Sequence, residues 1–134
     1  MNPDYDSIAV GITVPDIASA VEIYVNQWKL FTVLNWLGSD LDEGAGLVAI
    51  NATVPLRLQL CLEERRDTRG ELIPSGKTVR ISFPRSDFWE WVDSTFGNRD
   101  LIEHTPWSAS VILRDPFGHM IIVSTPWPED QPEP

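Results

Sequence analysis

The side chains that most often carry catalysis are scarce in this sequence. It contains two histidines, His104 and His119, and a single cysteine, Cys61. The short spacings His-x-Glu and His-x-x-x-His, which are typical of metal centres, do not occur. A cysteine nucleophile needs a basic partner, and neither histidine is placed in the sequence to activate Cys61. One cysteine also excludes an internal disulfide. We therefore predict no catalytic residues.

Charge and aromatic content indicate which ligands suit this protein. Twenty acidic residues against ten basic ones give a formal charge of −10. Such a charge repels nucleic acids and anionic membranes and favours cationic small molecules, although acidity can also serve solubility alone. Six tryptophans provide flat surfaces on which planar or cationic ligands can stack. No apolar run is long enough to cross a membrane, and the N-terminal residues do not resemble a secretory signal, so we expect a cytoplasmic protein.

Hydrophobic patterns predict the elements that must position these residues. In the first half, Ile8 to Val14 alternates like a strand, and a helix is predicted from the N-cap Asp16 to about Lys29. Strands are then predicted at Phe31 to Leu37, Leu47 to Asn51 and Leu56 to Leu62, with a turn region at 38–46. The first half therefore has the order βαβββ.

The same order repeats in the second half. A strand is predicted at Thr78 to Phe83 and a helix from Ser86-Asp87 to about Phe96. Three short strands are predicted at Leu101 to His104, Ala109 to Leu113 and Met120 to Ser124. We predict one compact α+β domain whose curved mixed sheets surround a cleft. Its parts are a first βαβββ module (1–66), a linker (67–76), a second βαβββ module (77–125) and a flexible acidic, proline-rich tail (126–134).

Two stretches resemble a known superfamily. The segment VPDIASAVEIY at 14–24 is similar to a first strand-to-helix turn, and LRDPFGH at 113–119 is similar to an Asp-Pro-x-Gly-Asn turn before a last strand. Both are features of the glyoxalase, bleomycin-resistance and extradiol-dioxygenase (vicinal oxygen chelate) superfamily, which is built from paired βαβββ modules. In that superfamily a glycine usually ends the first helix. Trp28-Lys29 stands there instead, so we expect strain at Lys29 or a different helix exit.

The resemblance also implies where a metal would be bound. Metal-dependent members take one ligand seven residues before the helix-capping Asp of each half, and others from the last strand of each half. These positions fall on Ala9, Gln59, Arg80 and Ile122. Alanine and isoleucine have no donor atom, arginine is always positively charged, and glutamine alone is a poor ligand. The resemblance therefore implies a protein without a metal or other cofactor.

The resemblance is closest to the metal-free bleomycin-resistance proteins. Their penultimate strand is also preceded by Pro-Trp and followed by Leu-Arg-Asp-Pro, as in Pro106-Trp107 and the segment 113–116 here. In those proteins the tryptophan stacks on the planar part of the drug, which makes Trp107 the first candidate for a ligand contact. The resemblance also implies an acidic loop beside the cleft. The predicted ligand-binding residues are Trp36, Asp42, Glu43, Arg57, Gln59, Cys61, Arg80 and Trp107.

The predicted function is stoichiometric sequestration of a planar small molecule, which can also be cationic, as in antibiotic resistance. The resemblance implies a homodimer with its clefts at the interface. Arg57 and Arg80 oppose a purely cationic ligand, because each must face an acid or an anionic ligand group if it points into the cleft. Two alternatives stay open. One is a metal-dependent glyoxalase- or dioxygenase-like enzyme with ligands at other positions, and the other is a regulatory protein whose cleft binds nothing.

Overall fold

The predicted α+β architecture is confirmed. A computed structural model describes residues 8–37, 43–62, 69 and 78–126, and the order βαβββ occurs in it twice. The first module comprises β1 (Ile8–Val14), α1 (Ile17–Val21), a π-helical segment (Glu22–Gln27), β2 (Phe31–Leu37), β3 (Gly44–Ala49) and β4 (Leu56–Leu62). The second comprises β5 (Arg80–Pro84), α2 (Phe88–Phe96), β6 (Glu103–His104), β7 (Ser108–Arg114) and β8 (Met120–Pro126).

Each module forms a four-stranded mixed sheet with the same connectivity. The strand order is β1-β4-β3-β2 in the first sheet and β5-β8-β7-β6 in the second. β1 and β5 pair in parallel with the last strand of their own module, and all other neighbours are antiparallel. β1 and β5 are therefore edge strands, and neither sheet closes into a barrel. No helix in the described segments is long and apolar enough to cross a membrane.

One face of each sheet is buried in the core, and we call the opposite face the open face. Apolar side chains on alternate strand positions fill the core, where burial of each large one contributes about 1.5–3 kcal/mol. The open face of the first sheet carries Ala9, Gly11, Thr13, Thr32, Asn35, Leu37, Gly44, Gly46, Val48, Arg57, Gln59 and Cys61. The open face of the second sheet carries Arg80, Ser82, Pro84, Glu103, Ser108, Ser110, Ile112, Arg114, Met120, Ile122 and Ser124.

Several predicted element boundaries are wrong. β3 is Gly44–Ala49 rather than Leu47 to Asn51, because Gly44 and Gly46 look like turn residues but pair with β4. β5 begins two residues later than predicted, and β6 is limited to two residues, while β7 and β8 extend past their predicted ends. Of the predicted linker and tail, only Arg69 and Pro126 lie within the described residues, and Pro126 belongs to β8.

The predicted first helix is present from Ile17 to Gln27, but its second part is π-helical, not α-helical. Asp16 caps α1 as predicted, since its carboxylate accepts a hydrogen bond of 3.2 Å from the Ala18 amide. After one and a half turns the hydrogen bonding becomes π-helical over Glu22–Gln27, which widens the turn. The chain then leaves through Lys29 with φ of 53°, a left-handed conformation that favours glycine. The expected strain at Lys29 is therefore present in the backbone.

A β-bulge reverses the alternation of side chains in β2. β2 pairs regularly with β3 up to Val33, then Leu34 is skipped and pairing resumes at Asn35. The extra residue is left unpaired, and every later side chain points to the face opposite to that expected from simple alternation. As a result Asn35 lies on the open face, whereas Trp36 lies on the core face.

The Asp-Pro-x-Gly-His turn forms the tight turn predicted and also joins the two modules. Asp115 is buried, and its carboxylate accepts hydrogen bonds from the amides of Phe117 (2.9 Å) and His119 (2.8 Å). Its second carboxylate oxygen accepts a hydrogen bond from the hydroxyl of Tyr24, which follows α1 in the first module. Gly118 adopts φ of 96° in the turn, a conformation that requires glycine. The turn thus organises the contact between modules as well as its own backbone.

His119 links the edge strand of the first sheet to the start of the second. Although His119 ends a turn, its side chain is only 3% exposed. Its Nδ1 accepts a hydrogen bond of 3.0 Å from the Val79 amide, so the ring proton is on Nε2. Nε2 then donates to the Thr13 carbonyl oxygen at 2.8 Å. Both ring nitrogens are used, and neither is available for a metal or a substrate.

The hydrogen bond from Tyr24 to Asp115 can be tested by measuring stability at alkaline pH. Burial, then the hydrogen bond to Asp115 and its negative charge, raise the pKa of Tyr24 above its usual value. The unfolded state loses this proton first, so stability present below about pH 10 is lost as the pH rises further. In urea unfolding, the stability difference between wild type and Tyr24→Phe should shrink by about 1.4 kcal/mol per pH unit above about pH 10. A constant difference would contradict the assignment.

A buried arginine joins the modules at a second place. Arg85 forms an ion pair of 2.5 Å with Asp87 and donates a hydrogen bond of 2.7 Å to the carbonyl oxygen of Lys29. Its guanidinium lies 5.1 Å from the ring centre of Trp91, whose Nε1 donates to the Trp28 carbonyl oxygen at 2.8 Å. Asp87 was predicted to cap α2, but it makes no side-chain cap hydrogen bond and is used by Arg85 instead.

Candidate functional site

A row of glycines and amides crosses the open face of the first sheet. The strand register places Gly11, Gln59, Gly46 and Asn35 side by side on neighbouring strands. A Cβ on Gly11 would meet nothing within 4 Å, so the backbone there is uncovered. A Cβ on Gly46 would collide with Oδ1 of Asn35 and lie 3.6 Å from Oε1 of Gln59. The amide of Asn35 therefore lies over Gly46, with the amide of Gln59 beside it, and Gly11 stays open; we call these four residues the floor.

A depression of about 200 Å³ lies on this floor. It is lined by Ala9, Gly46, Leu47, Arg57, Leu58 and Gln59. Within the described part of the chain, the side chains of Asn35 and Gln59 have no hydrogen-bond partner. Each primary amide offers both a donor and an acceptor. The floor can therefore hold a flat molecule and form hydrogen bonds to its edges.

The structure brings together only some of the predicted ligand contacts of the first module. Arg57 and Cys61 flank Gln59 on the open face, with Arg57 half-buried and Cys61 exposed. Trp36 lies on the other face of the sheet because of the bulge, so it does not belong to this group. Glu43 is exposed and directly precedes β3, and Asp42 lies outside the described residues.

The open face of the second sheet has a different chemistry. Arg80, Met120 and Arg114 lie side by side on β5, β8 and β7, and both arginines are exposed. The next row consists of Ser82, Ile122 and Ile112. Met120 and the two isoleucines are half-buried and form an apolar strip. This face therefore combines an apolar surface with two positively charged groups at its sides.

Trp107 is exposed beside this second open face. With 72% of its surface accessible, it is the most exposed of the large apolar side chains in the described segments. It lies in the turn between β6 and β7, where the Thr105 hydroxyl accepts hydrogen bonds from the amides of Trp107 (3.4 Å) and Ser108 (3.0 Å). Ser108 begins β7, so Trp107 lies at this end of the second sheet, and its exposed indole is available for stacking.

The residues at the expected metal positions do not fit a metal. Ala9 and Gln59 lie on the open face of the first sheet, and Arg80 and Ile122 on that of the second. Across the described segments, no group of three His, Cys, Asp or Glu side chains is arranged to hold an ion. His104 is on the core side of β6, where its ring stacks with Trp89. We therefore derive no chemistry through a metal.

An apolar groove of about 330 Å³ separates the edge strands β1 and β5. It is lined by Ile8, Val10, Val54, Leu56, Arg80, Ile81, Ser82, Phe83 and Pro84. Arg80 and Ser82 also belong to the open face of the second sheet, so the groove continues that face. The groove gives an apolar group of a ligand a place next to Arg80.

Three residues of the open faces were not predicted from the sequence as site residues. Asn35 was hidden by the bulge, since alternation from Phe31 places it in the core. Gly46 was assigned to a turn because of its residue type. Arg114 alternates with the buried Leu113, and that signal was visible in the sequence but was interpreted only as part of the turn motif.

No protein-family model and no curated protein sequence matches this chain. Solved structures do match. TioX from Micromonospora sp. ML1 superposes with a TM-score of 0.66 at 17% identity, covering 89% of this chain and 97% of TioX. TnmS3, an antibiotic binding protein from Streptomyces sp. CB03234, has a TM-score of 0.58 at 18% identity, with 89% and 93% covered. A lactoylglutathione lyase from Agrobacterium tumefaciens has a TM-score of 0.59 at 17% identity, with 88% and 91% covered.

These identities are low, so the likeness concerns the arrangement of the chain and not its activity. Proteins named for glyoxalase, bleomycin resistance and dioxygenase share the arrangement as well. The resemblance of the segments at 14–24 and 113–119 predicted the same architecture. The chain therefore has the paired βαβββ fold of the glyoxalase, bleomycin-resistance and dioxygenase superfamily.

Proposed function

We propose that this protein binds a planar small molecule on the open faces of its sheets and releases it unchanged. The observation that carries the proposal is this floor, in which Gly11 is open and the amides of Asn35 and Gln59 lie at Gly46. Such a floor offers contact area and hydrogen bonds, as ligand pockets do, but no nucleophile or base. The similarity in fold to the antibiotic binding protein TnmS3 supports this class of function.

The side chains at the metal positions also support binding without chemistry. A metal acting as a Lewis acid needs donor atoms, and Ala9 and Ile122 have none. A lactoylglutathione lyase has the same fold, so the fold itself does not exclude catalysis. Elemental analysis of the purified protein distinguishes binding without chemistry from metal-dependent catalysis. A stoichiometric metal ion would contradict this proposal and favour an enzyme with ligands at other positions.

The proposal includes a second copy of this chain. Both open faces are partly exposed in one chain, and a ligand on either of them would stay in contact with water. A homodimer in which the first sheet of one copy faces the second sheet of the other would enclose the ligand from both sides. Trp107, at the end of the second open face, would then stack on the ligand.

Fluorescence and thermal shift with planar probes test the proposal. Metal-free bleomycin and acridine orange should be compared, and at least one should give saturable quenching, a higher Tm and unchanged ligand on recovery. Trp107→Ala should weaken binding about tenfold, because stacking on a desolvated indole contributes about 1–2 kcal/mol. Trp36→Phe is the matched control, since Trp36 lies on the core face, and its affinity should be unchanged. Formation of a product would contradict the proposal, and so would failure to bind both of these cations and the planar acid naphthalene-2-carboxylate.

A further inference from the structure

Charged side chains are distributed unevenly over this acidic protein. Among the described residues, the open faces carry Arg57, Arg80 and Arg114 but only one acid, Glu103. Three positive charges and one negative charge give these faces a net charge of +2, in a chain with a formal charge of −10. The other acids of the described segments lie elsewhere: Asp16, Glu22, Glu43, Asp87, Glu90, Asp93, Asp100 and Asp115. Among the described residues, the second open face with Arg80 and Arg114 therefore offers positive charge to an anion, in a chain whose formal charge is negative.

Two of these arginines are placed to bind one group. Arg80 and Arg114 lie on either side of Met120, on strands separated only by β8. Two strand spacings are about 10 Å, a distance that two long guanidinium side chains can close together. Both are exposed, and neither forms an ion pair within the described segments. An anion between them would relieve their mutual repulsion and accept hydrogen bonds from both.

The surface between the arginines is apolar. Met120, Ile122 and Ile112 are half-buried on the open face and present a continuous strip of hydrocarbon and sulfur. Aromatic rings make favourable contacts with a methionine sulfur, and the isoleucines add apolar area. A simple inorganic anion would leave this strip in water, whereas an organic acid with a flat apolar body would cover it.

We propose that the ligand is an organic acid with a flat apolar body, and that Arg80 and Arg114 bind its acidic group while the body covers the strip at Met120. This inference rests on the proposed function and specifies the charge of the ligand. It replaces the cationic ligand suggested by the overall charge of the sequence, because the local charge of the open faces has the opposite sign.

Matched probes of one shape and different charge test this inference. Naphthalene-2-carboxylate, neutral naphthalene-2-carboxamide and the cation 2-naphthylmethylammonium should be titrated into the full-length protein by isothermal titration calorimetry. The carboxylate should bind about tenfold more tightly than the amide, as one charge-assisted contact would provide, and the cation most weakly. In Arg80→Gln and Arg114→Gln the preference for the carboxylate should fall, and in the double variant it should disappear. Binding of the neutral amide should change less than twofold.

Arg99→Gln is the control for net charge. Arg99 pairs with Asp93 beside α2, away from both open faces, so its removal should leave the preference unchanged. Equal binding of all three probes, preference for the cation, or an equal effect of Arg99→Gln would overturn the inference while leaving the proposed function intact. Failure of every probe to bind, with metal-free bleomycin and acridine orange failing as well, would instead count against the proposed function.

Discussion

Replacement of Asp115 with alanine should lower the free energy of unfolding by about 3–5 kcal/mol at neutral pH. The carboxylate accepts three hydrogen bonds, from the hydroxyl of Tyr24 and from the amides of Phe117 and His119. Tyr24 and His119 are buried, so their donors would lose an acceptor without gaining water. Each unsatisfied buried donor costs about 1–3 kcal/mol. The turn and the contact between modules would be weakened together.

Urea unfolding followed by circular dichroism measures this effect. A double-mutant cycle with Tyr24→Phe should give a coupling energy of about 1–3 kcal/mol, because the two groups share one hydrogen bond. Asp115→Asn should lower the free energy of unfolding less than Asp115→Ala does, because the amide oxygen can still accept hydrogen bonds. Asp93→Ala is the matched control, an exposed aspartate paired with Arg99, and should change stability little. A loss for Asp115→Ala no larger than for this control would show that the turn does not hold the modules together.

Replacement of Arg85 with alanine should lower the free energy of unfolding by about 2–4 kcal/mol. Arg85 is 5% exposed and supports three groups at once. It pairs with Asp87, donates to the carbonyl oxygen of Lys29 and lies over the ring of Trp91. Without it, the left-handed Lys29 loses the hydrogen bond that holds its carbonyl, and the ring of Trp91 loses a cation partner. Asp87 is partly exposed, so water limits the loss on that side.

The pH dependence of the destabilisation by Arg85→Ala identifies the part that comes from the Arg85–Asp87 ion pair. Partial burial alone would raise the pKa of Asp87, but the hydrogen bond and charge of Arg85, with a hydrogen bond from Asn51, outweigh it and lower the pKa. This stability is present above the unfolded pKa near 4 and is lost as the pH falls through the folded value. The destabilisation by Arg85→Ala should therefore diminish below about pH 4. Arg85→Lys should recover the pH dependence only in part, because lysine cannot make all three contacts.

Local patterns were sufficient to predict most of the fold. The strands at Ile8–Val14 and Leu56–Leu62 have the predicted bounds, because alternation of apolar residues reflects one buried face. The strand at Phe31–Leu37 also has its predicted bounds, which follow from its residue types and not from alternation. The π-helical segment was not predictable in this way, since its apolar spacing is compatible with an ordinary helix. The burial of His119 depends on Thr13 and Val79, which are distant in sequence, and no local pattern encodes such a contact.

The candidate site was less predictable than the fold. Arg57, Gln59 and Arg80 could be placed on open faces because regular alternation holds in β4 and β5. The sequence could not show that Asn35, and not Trp36, lies on the open face, because a bulge depends on pairing with β3. The overall charge predicted a cationic ligand, whereas the arginines on the described part of the open faces favour the anionic ligand that we propose.

The bulge at Leu34 has a consequence for the evolution of this sheet. Without Leu34, the remaining residues of β2 would alternate regularly and keep the partners on β3 that they have now. The sheet can therefore accommodate the insertion or deletion of one codon at Leu34 without moving the neighbouring residues. Loss or gain of the codon for Leu34 would leave the side chains on the first open face unchanged. Insertion or deletion of one residue inside a regular strand would instead move the side chains that follow it to the opposite face.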